Sequence, residues 1–359
     1  KMAFRRITMQ DIADACGLSR NTVSKVFNGR GTIPEITKQI VLKKAEELGY
    51  FQIPGTNNNP LNKSNDSKIT QNITNEIIGD QKTIVLLTKN IPNDYHFGAI
   101  FLPAFTERLS RSGYTLTMYN VSEKELSENT LPEQLILSRT AGIITIELFD
   151  KSYLEMLSTL NLPFVSVDAF AGADTAFLDF DFVSMENTSS VIALTSQIIK
   201  NGAKNLGFVG DINHCNSFHE RFLAFSRTLN QANLSLEKNM CILDEDSSLY
   251  GDVEWLKQKL TAMPLLPDAF VCANDFLAIG VMSALKQMNI SVPEKVKIAG
   301  FDGIPQSKFV IPSLSTVQIP SKEIGTMTAE LLLSRIANPN QSFKKMYIKT
   351  IPIISDSTL

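Results

Sequence analysis

The chain has 359 residues, 43% of them hydrophobic, and a formal net charge of −3. This length accommodates two or three compact units. No apolar run approaches the roughly 20 residues that a membrane-spanning helix requires, so we expect no membrane partner. The first ten residues contain no apolar signal core, which favours a cytoplasmic location.

The cysteines are scattered and show no metal-binding spacing; they are Cys16, Cys215, Cys241 and Cys272. In a cytoplasmic chain we expect them to be reduced thiols. The sequence therefore predicts no metal and no cofactor.

Charge is unevenly distributed along the chain. Residues 1–50 contain nine basic and five acidic residues, a balance of +4, which leaves −7 for the remainder. A basic head on an acidic body is typical of a modular DNA-binding protein, in which attraction to phosphates is confined to the head.

The first predicted elements are two short helices between Thr8 and Phe27. Thr8 is a suitable N-cap, with Asp11 placed to complete a capping box. Apolar residues at helical spacing then form the buried stripe, namely Ile12, Ala13 and Cys16. Gly17 supplies the left-handed residue that ends the first helix.

Ser19 is predicted to cap the second helix, which spans residues 20–27. Its apolar residues Val23, Val26 and Phe27 would point inward. The outer face would carry hydrogen-bonding groups and cations without a carboxylate, in the side chains of Arg20, Asn21, Ser24, Lys25 and Asn28. Such a face suits a helix in the major groove of DNA, although a solvated helix of a small bundle would also show it.

The pattern T-x-x-D-I-A-x-x-x-G-L-S-x-x-T-V-S-K-V-x-N-G, followed by I-P-E-x-T-K and a helix ending in L-G-Y, resembles the headpiece of the lactose-repressor (LacI/GalR) family. The resemblance implies a helix-turn-helix headpiece over residues 1–51 and operator DNA as a partner. It also implies that Thr8, Ser24 and Asn28 contact phosphates, while Arg20, Asn21 and Lys25 reach base edges. The full set of predicted DNA-binding residues is Thr8, Ser19, Arg20, Asn21, Thr22, Ser24, Lys25 and Asn28.

Residues 52–82 are rich in Asn, Ser, Thr and Pro and are predicted to be a polar linker. In the family this region holds a short hinge helix that inserts into the minor groove. The segment 69–79 would take that place here. This segment lacks the usual basic and alanine residues, and Glu76 would lie close to phosphates. Two alternatives therefore stay open, namely a hinge helix that inserts into the minor groove and a degenerate hinge helix.

From Thr83 onward, short apolar strands alternate with amphipathic helices, which predicts parallel sheets flanked by helices. Predicted strands begin near residues 83, 114, 141, 163, 206, 240, 268 and 296, and predicted helices include 98–112, 131–138, 151–160, 188–201, 220–232, 253–263 and 276–288. The alternation restarts after residue 183, which predicts a body of two α/β lobes with a cleft between them.

Ligands of open α/β sheets bind beyond the carboxyl ends of the strands. The polar residues there are Asp168, Asp211, Asn274, Asp275 and Asp302. Each alone is usually a helix cap or turn residue. Several converging from both lobes, with Arg221 on an adjacent helix, would suit a polyhydroxylated ligand, because carboxylate and amide oxygens accept hydroxyl protons while Arg donates.

The resemblance to the LacI/GalR family continues through R-F-L-A-F at residues 221–225, C-A-N-D-x-x-A-I-G at 272–280 and V-P-E-K-V-K-I-A-G-F-D-G at 292–303. It implies a body that is similar to periplasmic binding proteins. The effector-contacting residues it implies are His96, Phe97, Asp168, Arg221, Asn274 and Asp302. Ala224 and Gly303 depart from the family pattern, which leaves the effector chemistry open.

By the same resemblance, residues 83–359 form the effector-binding and dimerisation domain. Its first lobe would hold residues 83–182 and 318–345, and its second lobe 183–315 and 346–359. A homodimer is expected, since a two-fold protein matches a near-palindromic operator.

Three other functions are alternatives to this reading of the sequence. The chain has no nucleophile elbow, no phosphate-binding loop of the G-x-x-x-x-G-K-[ST] kind and no metal-spaced His/Cys set, so an enzyme is not predicted. A stand-alone sugar-binding receptor would not carry the headpiece. The third alternative keeps DNA binding but replaces the sugar with a protein co-regulator or a non-sugar or phosphorylated metabolite. The sequence thus predicts a transcriptional repressor of carbohydrate-metabolism genes, controlled by a sugar or sugar derivative in the cleft.

Overall fold

The computed structural model describes residues 8–27, 33–47, 83–89, 98–245 and 249–359. The chain divides into two units, Lys1–Ile73 and Thr74–Leu359. The predicted linker, the 69–79 segment and the site residues Asn28, His96 and Phe97 lie outside the described residues.

Three helices make up the described part of the first unit: α1 (Met9–Cys16), α2 (Arg20–Phe27) and α3 (Glu35–Glu47). The predicted signals at their ends are confirmed. Thr8 and Asp11 form a reciprocal capping box, and Gly17 adopts φ 64° at the end of α1. The Thr22 amide donates to the Ser19 hydroxyl at 3.1 Å, which caps α2.

Apolar residues from all three helices form the core of this unit. Fully buried side chains are Ile12, Ala13, Val23, Val41 and Ala45, and Cys16, Val26 and Phe27 pack against them as partly buried residues. The predicted inward face of α1 and α2 is therefore confirmed. Since Val23 points into this core, the opposite side of α2 faces solvent.

The second unit contains eleven strands and eight α-helices among the described residues. The strands are β1 (Thr83–Thr88), β2 (Thr115–Asn120), β3 (Thr140–Ile146), β4 (Phe164–Val167), β5 (Asp181–Met185), β6 (Leu206–Val209), β7 (Ala269–Cys272), β8 (Lys297–Ala299), β9 (Thr316–Gln318), β10 (Lys345–Ile348) and β11 (Ile351–Ile353). The helices are α4 (Gly98–Ser110), α5 (Glu123–Glu128), α6 (Lys151–Ser158), α7 (Thr188–Lys200), α8 (Asn216–Gln231), α9 (Val253–Thr261), α10 (Asp275–Gln287) and α11 (Ser321–Ala337).

Six parallel strands form the sheet of the first lobe, in the order β10-β5-β4-β3-β1-β2. Helices α4 and α11 pack together beside it, and α11 also contacts β3, β4 and β5. Gly325 permits this close packing, because a Cβ at that position would lie 2.5 Å from the carbonyl oxygen of Phe101.

The sheet of the second lobe is built around the parallel strands β6, β7 and β8. Single bridges join Ala299 to Ser315 and Asp302 to Gln318, which brings β9 beside β8, and β11 pairs antiparallel with β9. The chain therefore crosses between the lobes after β5, after β9 and after β10. The first-lobe sheet includes residues 183–185 and 346–348, three residues beyond the predicted lobe boundaries at 182 and 345.

Most predicted helices and strands are present, but the predicted helix 131–138 is wrong. Helix α5 lies earlier, because Ser122 and Glu125 form a capping box that starts it. Asn129, with φ 50°, ends it in the left-handed conformation. The predicted strand at 240–244 contributes only a single bridge at Ile242, and the sequence did not predict β5, β9 or β10.

A buried ion pair joins α11 to β5. Arg335 donates to both carboxylate oxygens of Asp181, with its Nε 2.8 Å from Oδ2 and its Nη2 2.9 Å from Oδ1. The remaining guanidinium protons reach the carbonyls of Pro339, Gln341 and Ser342. The pair is thus fully hydrogen-bonded, which is the condition under which a buried charge is tolerated.

We predict that Arg335→Ala lowers the free energy of unfolding by about 3–5 kcal/mol, because Asp181 would be left buried without its partner. Arg111→Ala is the matched control, since Arg111 forms an exposed pair with Glu107 within one helical turn, and its loss should cost about 1 kcal/mol or less. Urea unfolding followed by circular dichroism measures both. A loss for Arg335→Ala as small as that for Arg111→Ala would contradict the structural role of the pair.

Candidate functional site

The outer face of α2 presents donors and cations to solvent. Arg20, Asn21 and Lys25 are exposed, and Ser24 is half-buried. Arg can donate two parallel hydrogen bonds to guanine and Asn can pair with adenine in the major groove. The face therefore has the chemistry that base recognition requires.

Three other predicted DNA-binding residues have hydroxyl groups that already make local hydrogen bonds. The Thr8 hydroxyl lies 2.7 Å from Asp11 Oδ2, and the hydroxyls of Ser19 and Thr22 are 2.9 Å apart. These bonds fix the starts of α1 and α2. The residues thus have a structural role at the helix ends whether or not they contact phosphates.

Four of the predicted ligand-binding residues line one cavity in the second unit. Asp168 follows β4, Asn274 follows β7 and Asp302 follows β8, while Arg221 projects from α8. Asp168 belongs to the first lobe and the other three to the second. The cavity is partly open to solvent, and the volume that the centre of a water molecule can occupy in it is about 70 Å³.

Arg221 occupies the centre of this cluster and is 3% exposed. Its Nε donates to Asn187 Oδ1 at 2.9 Å, and its Nη1 donates to the carbonyl oxygen of Ala273 at 2.7 Å. The same Nη1 lies 3.6 Å from Asp302 Oδ1, and the guanidinium carbon lies 3.6 Å from the centre of the Phe301 ring. The guanidinium is thereby held in one orientation, stacked on an aromatic face.

The two carboxylates beyond β8 and β7 have raised pKa values. Burial raises the pKa of Asp302 to about 7, although the positive charge of Arg221 lowers it. Burial raises the pKa of Asp275 to about 8, and the nearby charge of Asp302 adds to the effect. Asp275 accepts hydrogen bonds from the Thr316 hydroxyl and the Ile304 amide, so it fixes the loop that carries Asp302.

Asp168 reaches across the cleft to the first turn of α8. Its carboxylate accepts from the Ala169 amide at 2.9 Å and from the Ser217 amide at 3.2 Å. Burial raises the pKa of Asp168, and these hydrogen bonds oppose that rise. A carboxylate of the first lobe therefore lies at the amino end of a helix of the second lobe.

Two further polar residues beyond strand ends, Asn274 and Asp211, differ in their position relative to the cavity. Asn274 caps α10, where its Oδ1 accepts from the Leu277 amide at 3.0 Å, and it also lines the cavity. Asp211 forms a local turn with the Asn213 amide and does not line the cavity. The helix-cap interpretation and the ligand interpretation are thus both compatible with Asn274.

The carboxylate residues that line the cavity share an unusual backbone conformation. Glu147, Asp168 and Asp302 have φ values of 52°, 61° and 117°. Positive φ is uncommon for residues other than glycine and costs roughly 1–3 kcal/mol where it is strained. Such strain concentrates at binding sites, which supports a ligand-binding role for the cavity.

Sequence reasoning missed several residues of the cavity wall, chiefly Glu147, Phe149, His214 and Phe218. His214 contacts Phe149 edge-on, with ring centres 5.1 Å apart, and lies 5.0 Å from Phe218. His214 is therefore part of the cavity wall. Glu147 and Phe149 directly follow β3, so the rule that selected Asp168 would also have selected them.

A chain of hydrogen bonds leads from Arg221 to the place where the lobes join. Asn187, which accepts from Arg221, donates to Glu220 Oε2 at 2.6 Å, and the Tyr347 hydroxyl donates to Glu220 Oε1 at 3.0 Å. Burial raises the pKa of Glu220, and the bonds from Asn187 and Tyr347 oppose this. Tyr347 lies on β10 of the first lobe, so the chain spans both lobes.

Two negative findings apply to the described ranges. Within them, no helix has the length and apolar character needed to cross a bilayer. Nor do His, Cys, Asp and Glu side chains of those ranges form a group of three or more that could hold a metal ion.

Comparison with family models matches both parts of the chain. Residues 8–52 match the model of bacterial regulatory proteins of the lacI family. Residues 195–358 match the periplasmic binding protein-like domain. Together the two models cover more than half of the chain.

Relatives match along nearly the whole length. The HTH-type transcriptional regulator GalR of Lacticaseibacillus casei is 28% identical over 363 residues, which cover 98% of this chain and 99% of the relative. The HTH-type transcriptional repressor PurR of Actinobacillus pleuropneumoniae serotype 3 (strain JL03) is 26% identical over 347 residues, 96% of each chain.

Solved structures share the fold. A lac repressor dimer bound to operator and the anti-inducer ONPF aligns with a TM-score of 0.67 and 18% identity, over 99% of this chain and all of that chain. A complex of the transcriptional regulator CelR with cellobiose aligns with a TM-score of 0.66 and 20% identity, over 98% and 100%.

A helix-turn-helix unit followed by a two-lobed periplasmic-binding-protein-like body defines a bacterial DNA-binding transcriptional regulator. The sequence prediction of this fold class is confirmed. The chain belongs to the LacI family, and its relatives are transcriptional regulators and not enzymes.

We predict that Asp275→Asn makes the pH dependence of stability shallower. The folded state retains the Asp275 proton up to about pH 8, whereas an unfolded Asp loses it near pH 4. Between these values the unfolded state binds fewer protons, so the unfolding free energy falls as pH rises, by at most about 1.4 kcal/mol per pH unit.

Urea unfolding of the full chain at pH 5, 6, 7 and 8 measures this slope, with Asp179→Asn, an exposed carboxylate, as the control variant. A slope for Asp275→Asn equal to that of the unaltered protein would show that Asp275 does not retain its proton.

Proposed function

We propose that the protein is a repressor that binds operator DNA through α2 and is controlled by a sugar or sugar derivative bound in the cleft between the lobes. The observation that carries the proposal is the convergence of Asp168, Asn274 and Asp302 on the buried Arg221. Acceptors from both lobes surround one oriented guanidinium, which suits a ligand with several hydroxyl groups.

In the headpiece, Arg20, Asn21 and Lys25 would contact base edges, and Thr8, Ser24 and Asn28 would contact phosphates. The exposure of the first three side chains and the buried position of Val23 on the opposite face support this orientation of α2. Phosphate contacts position the protein, while base contacts specify the sequence.

The charge of the cavity favours an uncharged or cationic effector over a phosphorylated one. Among the described lining residues, the carboxylates of Glu147, Asp168 and Asp302 outnumber the single guanidinium of Arg221. That guanidinium already donates to Asn187 and Ala273. An anionic group would therefore meet more repulsion than attraction here.

Related proteins support a sugar as the effector but leave a second candidate for the effector. One solved regulator of the fold holds cellobiose, and another, 22% identical over 77% of this chain with a TM-score of 0.62, is complexed with D-xylulofuranose. The match to PurR repressors at 26% identity keeps a non-sugar metabolite as the alternative. A protein co-regulator would use the outer surface of the body and would not need the strained carboxylates of the cleft.

The hydrogen bonds from Arg221 through Asn187 and Glu220 to Tyr347 offer a route by which an occupied cleft changes the lobe angle. A ligand that bonds Asp302 or Arg221 would alter the first link of this chain. The resulting coupling between effector and DNA would be about 1–3 kcal/mol, the usual range for such linkage.

We infer that the protein acts as a homodimer and that one contact face lies on the second lobe. Phe309 and Ile311 are 82% and 90% exposed. Ile311 and Pro312 line an apolar groove together with Met282 and Ile290. Exposed apolar groups of this size mark interaction surfaces. The lac repressor, whose structure shares this fold, is bound to its operator as a dimer.

The DNA-binding role predicts that Arg20→Ala or Lys25→Ala costs about 1–3 kcal/mol at one base position and relaxes specificity there. Selection of binding sites from random DNA, followed by titration of single-base variants, measures this effect. Lys295→Ala, an exposed lysine of the body, is the control. An equal loss on all sequences would show a phosphate contact in place of base recognition.

The effector role predicts that a sugar at about 100 times its dissociation constant stabilises the protein by roughly 2.7 kcal/mol. A thermal-shift screen of sugars, sugar phosphates and purines measures this. Asp302→Asn should weaken the binding of a hit by about tenfold to a hundredfold, because it loses a charged acceptor. Arg227→Ala, an exposed residue on the same helix as Arg221, should have no effect, and a purine hit would favour the alternative.

The dimer role predicts that Ile311→Glu shifts the protein to monomers, because a carboxylate would be buried in the contact face. Sedimentation velocity over a range of concentrations measures the shift. Leu265→Glu is the matched control, since Leu265 is also exposed but does not line this groove. A dimer that persists in Ile311→Glu would place the contact elsewhere.

A further inference from the structure

A loop of the first lobe contacts the second lobe beside the cleft. Residues 169–176 follow β4 in the first lobe, and Asn216 is the first residue of α8 in the second. The Asn216 amide donates to the Ala169 carbonyl at 2.8 Å, and the Asp174 amide donates to Asn216 Oδ1 at 3.1 Å. Asn216 is fully buried. One residue of the second lobe is therefore bonded to the 169–176 loop at two points.

The same loop is fastened to the first lobe by a lysine. Within the loop, the Ala173 amide donates to the Phe170 carbonyl at 3.1 Å, which closes a turn. The ammonium group of Lys345, on β10, then donates to three carbonyls at 3.1, 2.9 and 2.6 Å, those of Ala173, Asp174 and Ala176. An ammonium group has three donors, so Lys345 uses all of them to hold this loop.

These contacts are separate from the residues that line the cavity around Arg221. The lining of that cavity, among the described residues, does not include Ala169, Asp174, Asn216 or Lys345. A ligand in the cavity therefore does not have to replace these bonds. The contact between the loop and α8 consists of the protein's own groups, and it joins the lobes whatever the cavity holds.

The contact also carries a cost that makes it reversible. The Nδ2 atom of Asn216 is buried but has no hydrogen-bond partner within the described chain. A buried donor without an acceptor lowers stability, because it has lost its bonds to water. Separation of the lobes at this point would return the group to water, which favours opening.

We propose that the 169–176 loop is a latch, which holds the two lobes together through Asn216 and is itself held in place by Lys345. The latch fixes the lobe angle in addition to the contacts inside the cleft. An effector that changes the lobe angle must then work against the latch. This consequence for the effector rests on the proposed function, whereas the latch itself does not.

The first turn of α8 contains amides that report directly on the latch. The first amides of a helix have no acceptor within the helix. The Asn216 amide bonds to the Ala169 carbonyl, and the Ser217 amide bonds to the Asp168 carboxylate at 3.2 Å. Both acceptors belong to the first lobe. Protection of these two amides from hydrogen exchange therefore depends on contact between the lobes.

Lys345→Met is the test variant, because it removes all three bonds from the ammonium group to the loop at an exposed position. Lys345→Arg retains a cationic donor there and should restore the latch. Lys344→Met is the matched control, since Lys344 is the neighbouring exposed lysine and its ammonium group bonds to Gln341 Oε1 at 3.1 Å.

The experiment is hydrogen–deuterium exchange of the full chain without added ligand, resolved to single residues by fragmentation in the mass spectrometer. We expect the amides of Asp174, Asn216 and Ser217 to exchange roughly tenfold faster in Lys345→Met. Lys345→Arg should bring these rates back to within about threefold of the unaltered protein, and Lys344→Met should leave them unchanged.

The Leu277 amide is the internal reference. It lies in the first turn of α10 and bonds to Asn274 Oδ1 at 3.0 Å within the second lobe. Its exchange should be the same in every variant, because its acceptor does not move with the first lobe.

Three results would overturn the inference. Faster exchange at Asp174 alone would show that the loop loosens without any effect on the contact between the lobes. Unchanged exchange at all three amides would show that Lys345 does not hold the loop. An equal rise in Lys344→Met would show a general effect of charge. Because no ligand is present, each of these results leaves the proposed effector function intact, and that function fails separately in the thermal-shift screen.

Discussion

The body of this protein depends on the burial of one charged side chain. Removing the guanidinium of Arg221 from water costs several kcal/mol unless its protons are satisfied. Asn187 and the carbonyl of Ala273 accept hydrogen bonds from two of its nitrogens, Asp302 supplies a carboxylate 3.6 Å from Nη1, and the Phe301 ring supports the flat face. These partners come from the start of α7 and from the ends of β7 and β8. The requirements of one guanidinium therefore bring together the elements that form the cleft.

The same arrangement explains why ligand recognition and lobe geometry are connected. Asn187 directly follows the chain crossing after β5, and it holds both Arg221 and Glu220. The hydroxyl of Tyr347, on β10, donates to Glu220, and the chain crosses between the lobes again after β10. The strained backbone at Glu147, Asp168 and Asp302 is retained because the surrounding hydrogen bonds outweigh its cost. A ligand that competes for any of these bonds alters contacts at the lobe junction.

The sequence predicted those parts of the structure that local chemistry determines. Thr8, Gly17 and Ser19 set the helix ends by bonds within a few residues, and the strand-end rule found Asp168 and Asp302. It did not find His214, whose place in the cavity depends on a ring contact with Phe149 across 65 residues of chain. The helix predicted at 131–138 is wrong because the capping box of Ser122 and Glu125 starts the helix about eight residues earlier, and apolar spacing alone does not show this.

Hydrogen bonds join the cleft to the lobe junction, and hydrogen–deuterium exchange of Tyr347→Phe tests this connection most directly. The reporter is the Glu186 amide, which donates to the Ile348 carbonyl at 2.8 Å where the chain crosses. Tyr119→Phe is the control, since its hydroxyl bonds the Gln134 carbonyl within the first lobe. We predict roughly tenfold faster exchange at Glu186 in Tyr347→Phe only. Unchanged exchange, or an equal rise in Tyr119→Phe, would contradict the claim.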